Sequence, residues 1–141
     1  MKVLILDNYD SFTFNLYQYC GEILSKHSSQ EKFQILVKRN DEVDIEDIKK
    51  INPDKIIISP GPGSPENSEY FGVCKDTILQ LGLKTPILGI CLGMQLMTKS
   101  SEEGILTGLG WFDAVTVKFN FGNDKNNKVP HMGWNYVEEV N

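Results

Sequence analysis

Histidine is scarce in this chain: His27 and His131 are the only two in 141 residues. Cysteine is barely more frequent. Cys20, Cys74 and Cys91 are odd in number and show no C-x-x-C spacing, which argues against a disulfide framework and a zinc site. No stretch approaches the roughly 18 to 20 apolar residues needed to span a bilayer. Met1-Lys2-Val3-Leu4-Ile5-Leu6-Asp7 carries one basic residue and too short an apolar run for a signal peptide, and reads as a buried strand. No basic stripe offsets the net charge of −5, so neither nucleic acid nor an anionic membrane is an expected partner. Internal repeats and domain linkers are also missing. These absences point to a reduced, cytoplasmic chain that uses no metal and no cofactor.

What is present is ordinary for a soluble protein: 40% hydrophobic and 23% charged residues, in a length that makes one domain with a proper core. Strand-like apolar runs alternate with helix-like segments, as in an α/β domain built on an open, mostly parallel sheet with helices on both faces. Lys2 to Leu6 is the first predicted strand. Asp10 or Ser11 can cap the next helix, whose Phe12, Leu16, Tyr19, Cys20 and Ile23 recur at helical spacing. Ser25 to Lys32 reads as a loop or frayed helix end, and Phe33 to Val37 as a second strand. A short helix over Ile45 to Ile51 stops at Asn52-Pro53. Lys55 to Ser59, with three successive isoleucines, is a fully buried strand. Pro60 to Pro65 is a loop, Tyr70 to Leu81 a helix, Pro86 to Ile90 a strand and Met94 to Glu102 a helix. Ala114 to Phe119 and Trp134 to Glu138 are further strand candidates.

Gly89-Ile90-Cys91-Leu92-Gly93 has the form G-x-nucleophile-x-G between a buried strand and a helix. A nucleophile in such a turn sits on strained backbone, and the flanking glycines allow tight strand-to-helix packing. The helix that follows turns its free N–H groups toward the sulfur, which favours thiolate over thiol. The N–H of Leu92 is then the natural first donor of an oxyanion hole. The bland alternative for Cys91 is a core cysteine, the role that Cys20 and Cys74 are expected to fill.

Ser59-Pro60-Gly61-Pro62-Gly63-Ser64-Pro65 directly follows the third strand. Proline fixes φ and removes a donor, while glycine permits close approach by a ligand. The remaining N–H groups, at Gly61 and Gly63, can point at one spot, and we assign Gly61 as the second oxyanion donor. Ligands of open parallel sheets bind beyond the C-terminal strand ends, where both this loop and Cys91 lie. Taken alone, the loop reads better as a rigid surface turn.

Asp7-Asn8-Tyr9-Asp10-Ser11-Phe12-Thr13, the Pro-Gly loop and Gly89-Ile90-Cys91-Leu92-Gly93-Met94-Gln95 together resemble the class I, triad-type glutamine amidotransferases. The first two stretches are most similar to the glutaminase subunits of anthranilate and aminodeoxychorismate synthases. The resemblance implies a flavodoxin-like sheet and a γ-glutamyl thioester on Cys91, with ammonia passed to a synthase subunit. It implies that Gly61, Pro62, Gly63 and Gln95 hold the substrate, L-glutamine. Gln95 lies one helical turn beyond Cys91, so its side chain can face the same pocket; a solvent-facing glutamine is the alternative.

Two departures stand out. From about Leu88 onward, Gly89 to Met97, Ser100-Ser101-Glu102-Glu103-Gly104, Gly108-Leu109-Gly110 and Val129-Pro130-His131-Met132-Gly133-Trp134-Asn135 resemble the glutaminase subunit of imidazole glycerol phosphate synthase. The chain therefore reads as two relatives joined near residues 88–95, a crossover of recombined or engineered origin. The family also carries its catalytic histidine and carboxylate in a Gln-Phe-His-Pro-Glu-like segment, and nothing here matches it. His27 reads as a solvated loop residue, and His131 matches a motif position that is not the triad base. The truncation this implies predicts weak or absent turnover and self-association through an exposed sheet edge. Trp134, in a motif similar to the imidazole-type subunit, is a candidate contact with a synthase partner.

Overall fold

The computed structural model describes residues 1–27, 32–62, 68–102, 107–118, 120 and 122. Along the chain these form β1 (Lys2–Asp7), α1 (Thr13–His27), β2 (Gln34–Arg39), α2 (Ile45–Ile51), β3 (Lys55–Ile58), α3 (Ser68–Phe71), α4 (Cys74–Leu81), β4 (Ile87–Gly89), α5 (Leu92–Met97), β5 (Ser100–Ser101) and β6 (Val115–Thr116). Four strands make one sheet in the order β2-β1-β3-β4, every pair parallel. β5 and β6 pair separately. The strand expected over Trp134 to Glu138 lies outside the described residues.

The period of two along each strand sorts the core onto two faces. Leu4, Leu6, Ile56 and Ile58 point to one side, where Ile48 of α2, Cys74 and Ile78 of α4, and Leu92, Leu96 and Met97 of α5 cover them. Val3, Ile5 and Ile57 point to the other, against Leu16, Cys20 and Leu24 of α1. Among the described residues, α1 is the one helix packed on that second face. A groove of roughly 260 Å³ stays open between α1 and the start of β3 and β4, lined by Val3, Cys20, Ile23, Leu24, Ile57 and Leu88 among others. Leu88 is 56% exposed there. Parallel sheets are normally covered on both faces, so this apolar strip is unusual.

Several boundaries differ from expectation, each for a local reason. Leu16 and Cys20 of the α1 stripe do face the sheet, but Phe12, Tyr19 and Ile23 are exposed. The buried line runs through Leu24 instead. α1 also continues through His27, which is therefore a helix-end residue and not a loop residue. The single helix expected over Tyr70 to Leu81 is broken into α3 and α4 at Gly72, whose φ is +43°. A side chain at Gly72 would run into the carbonyl of Asn40, which accepts a hydrogen bond from Val73 N–H at 2.9 Å. α5 ends at Thr98 and not at Glu102. Thr98 is extended and returns its hydroxyl to the Gln95 carbonyl at 2.9 Å, after which Ser100 and Ser101 pair with Val115 and Thr116. α2 has the expected span, begun by a capping box between Asp44 and Asp47 and closed by Asn52 in the left-handed region.

Candidate active site at the C-terminal rim of the sheet

The C-terminal ends of β1, β3 and β4 lie side by side, and the chain leaves each through a different kind of turn. After β4 comes Cys91, with φ 52° and ψ −109°, a conformation that costs a non-glycine residue on the order of 1–3 kcal/mol. The turn is held by Ile90 N–H donating to Ile58 O, Gly93 N–H to Ile90 O and Gln95 N–H to Cys91 O, at 3.1, 3.1 and 3.0 Å. The two glycines explain how so tight a turn fits. A Cβ on Gly89 would lie 2.6 Å from the Gly93 carbonyl carbon, and one on Gly93 would lie 2.9 Å from Ile58 Cγ2. Leu92, Leu96 and Met97 anchor α5 in the core, while Cys91 is left exposed at the rim.

The other two cysteines are placed as packing residues. Cys74 is fully buried and Cys20 half-buried. Burial pushes the Cys74 thiol up to about 12 and raises that of Cys20 as well, because an apolar surrounding disfavours the thiolate.

The Pro-Gly loop meets this turn. A Cβ on Gly61 would come within 3.3 Å of Leu92 Cδ2, so the loop backbone rests on the residue after Cys91. It would also come within 2.5 Å of Asn8 Cβ and 2.7 Å of Asn8 O, which leaves room for glycine alone. Pro62 is exposed at the rim, and Gln95 is buried in α5 one turn beyond Cys91. Gly63, His131 and Trp134 lie outside the described residues. Thus Cys91, Leu92 and Gly61 are brought together, whereas His27 is not. α1 runs back along the sheet, so that Ile23 and Leu24 share a groove with Lys55 and Pro86 at the opposite edge. Fifteen helical residues place His27 roughly 20 Å from the start of α1 at the rim.

Sequence reasoning missed the polar network beneath the rim. Asn8 is 1% exposed. Its N–H donates to Ser59 Oγ and its Nδ2 to Ser59 O, each at 2.9 Å. Its Oδ1 accepts from Asn40 Nδ2 at 2.8 Å and from the Cys74 thiol at 3.2 Å. Asp7 accepts from Thr13 Oγ1 at 2.7 Å and thereby ties β1 to the start of α1. Beside this network Tyr9 stands out into solvent at φ 62°, its hydroxyl donating to Asp41 and its ring lying 4.7 Å from the Arg39 guanidinium. The signals for Asn8 in the sequence were its place in the Asp7-to-Thr13 stretch and its position, a short amide directly after a buried strand.

A parallel sheet with the order 2-1-3-4, with helices packed on each face and its turns of tightest backbone at the C-terminal rim, defines a flavodoxin-like α/β domain. Residues 4–139 match the family model for glutamine amidotransferase class-I, and the chain belongs to that family. It is 63% identical over 97 residues to anthranilate synthase component 2 of Leptospira biflexa, a match covering 69% of this chain and 47% of that protein. The corresponding protein of Methanothermobacter thermautotrophicus is 54% identical over 93 residues, 66% of this chain and 46% of its own length. That of Acetivibrio thermocellus is 50% identical over 94 residues, 67% of this chain and 91% of its own length. The chain thus spans about half the length of the first two relatives.

Proposed function

We propose that this chain is the nucleophile-bearing part of a glutaminase subunit of the anthranilate synthase type, which takes ammonia from L-glutamine for a synthase subunit. The observation that carries the reading is Cys91, exposed on strained backbone, whose next residue, Leu92, meets Gly61 of the Pro-Gly loop. In this reading the Cys91 thiolate attacks the γ-carboxamide carbon, and the carbonyl oxygen takes the negative charge. The N–H groups of Leu92 and Gly61 receive it; Leu92 is the first residue of α5, so its N–H has no acceptor within the helix. The amide nitrogen takes up a proton and leaves as ammonia as the C–N bond breaks, which leaves a γ-glutamyl thioester; water then cleaves the C–S bond to give glutamate and the free Cys91 sulfur. Gly61, Pro62, Gly63 and Gln95 hold the substrate, and a reducing cytoplasm suits an exposed thiol.

A second reading is favoured by the histidine count. Expulsion of ammonia and activation of water call for a general acid and base, and no Gln-Phe-His-Pro-Glu-like segment is present in the 141 residues. His27 ends α1 at the opposite edge of the sheet. The chain then keeps a glutamine pocket but turns over slowly. The motifs after Leu88 support a crossover with an imidazole-type subunit, and Trp134 is the contact with the synthase that they suggest.

Treatment with the chloroketone analogue of L-glutamine, followed by peptide mass spectrometry, tests the pocket. One adduct on Cys91 is expected, prevented by excess glutamine and lost in Cys91→Ser. Adducts that ignore glutamine would remove the reading. Steady-state ammonia release should run about 10²- to 10⁴-fold below that of relatives with a complete triad, the usual worth of general acid–base catalysis. Rates equal to theirs would sink the slow-turnover reading.

The apolar groove beside α1 and the exposure of Leu88 on β4, the last strand of the sheet, support the self-association expected through the sheet edge. Sedimentation velocity should show a mass that rises with concentration. A monomer at every concentration would speak against it.

A further inference from the structure

Resting on the glutamine reading above, we propose that Asn8 is the positioning residue of the substrate loop, acting through Ser59 to aim the Gly61 N–H. Ser59 is gripped from two sides. Its carbonyl accepts from Asn8 Nδ2 and its hydroxyl from Asn8 N–H, each at 2.9 Å. The same hydroxyl donates to Pro60 O at 2.7 Å. Pro60 C=O and Gly61 N–H belong to one planar trans peptide and point in opposite directions. Holding Pro60 O against Ser59 therefore turns the Gly61 N–H away, to the other side of the peptide. The contact of Gly61 with Asn8 Cβ and O stops the loop from sinking toward β1.

Asn8 can do this because its own amide cannot rotate. Oδ1 receives two donors, Asn40 Nδ2 and the Cys74 thiol, which leaves Nδ2 toward Ser59. Asn40 is fastened in turn, with Nδ2 donating to Tyr70 O at 2.6 Å and its N–H to Asp7 O at 3.1 Å. The chain of bonds thus joins the ends of β1, β2 and β3 to α3 and α4, and among the described residues it reaches the rim through the Pro60–Gly61 peptide. Asn8 itself is 1% exposed, beneath the rim, and acts through Ser59.

The test compares two reagents on Cys91: the chloroketone analogue of glutamine, which needs an aligned pocket, and iodoacetamide, which needs only an exposed thiol. In Asn8→Ala the chloroketone rate at low concentration should fall about 100-fold while the iodoacetamide rate stays within about twofold, since misplacement near 1 Å costs that much alignment. Ser59→Ala, a smaller change that spares the Asn8 side chain, should move the same ratio in the same direction by less. Cys20→Ala, on the other face of the sheet, should leave it unchanged. If Asn8→Ala melts out, Ser59→Ala decides. An unchanged ratio in folded Asn8→Ala, or in Ser59→Ala, overturns the proposal. Loss of glutamine protection in the unaltered protein would instead overturn the glutamine reading, and this inference with it.

Discussion

Gly89→Ala should lower stability by about 3 kcal/mol, at the upper end of what added volume costs in a packed interior. The new Cβ would stand 2.6 Å from the Gly93 carbonyl carbon, 2.7 Å from its oxygen and 2.9 Å from Met94 N. All three are backbone atoms, so no side-chain rotation relieves the overlap. α5 would have to move off the sheet and take Leu92, Leu96 and Met97 out of the core. The turn at Cys91 would open with it. Gly21→Ala is the matched control. Gly21 lies inside α1, where a Cβ meets only Ile35 Cδ1 at 3.9 Å, so the substitution should stabilise by about 0.5–1 kcal/mol. Urea unfolding of the two variants against the parent checks both signs. Equal shifts would show that α5 yields to the added methyl and that the turn does not depend on Gly89.

Alkali should unfold the protein through Cys74. Burial raises its thiol from an ordinary 9.0 to about 12. Below pH 9.0 both the folded and unfolded chains keep the proton, and the full stability is present. Between 9.0 and about 12 the unfolded chain releases the proton while the folded one retains it, so stability falls as pH rises. The whole window is worth about 4 kcal/mol at 1.36 kcal/mol per pH unit. Cys20, raised by burial too, adds to the same slope. Tyrosine and lysine titrate in this range as well, so the measurement is a difference. Cys74→Ser keeps a donor for Asn8 Oδ1 but does not titrate, and its unfolding free energy should fall less steeply above pH 9.0. Parallel curves for the two proteins would show that Cys74 is not the group responsible.

The Pro-Gly loop and the strained turn at Cys91 were legible as structure because each is a local device. Gly-x-Cys-x-Gly between an apolar run and a helix specifies one turn, and the structure has Cys91 at φ 52° there. Pro60-Gly61-Pro62 after three isoleucines specifies a stiff exit from a buried strand. Breaks were harder to read than elements. Tyr70 to Leu81 has helical periodicity throughout, and only the approach of Asn40 to Gly72 splits it. The apolar face of α1 was misjudged because Phe12, Tyr19 and Ile23 fit the period as well as Leu24 does. Which stripe is buried depends on where the sheet lies.

The sequence alone determined the alternation of parallel strands and helices, the strained turn at Cys91 and the family, since each rests on residues that are neighbours along the chain. Tertiary structure alone decided what holds the rim in place. The partners of Asn8 are 32, 51 and 66 residues away at Asn40, Ser59 and Cys74. No spacing rule covers such distances; a buried amide finds its donors and acceptors only once the strands are laid side by side. The same holds for His27, which could be counted in the sequence but whose remoteness from Cys91 became visible only when α1 ran back across the sheet.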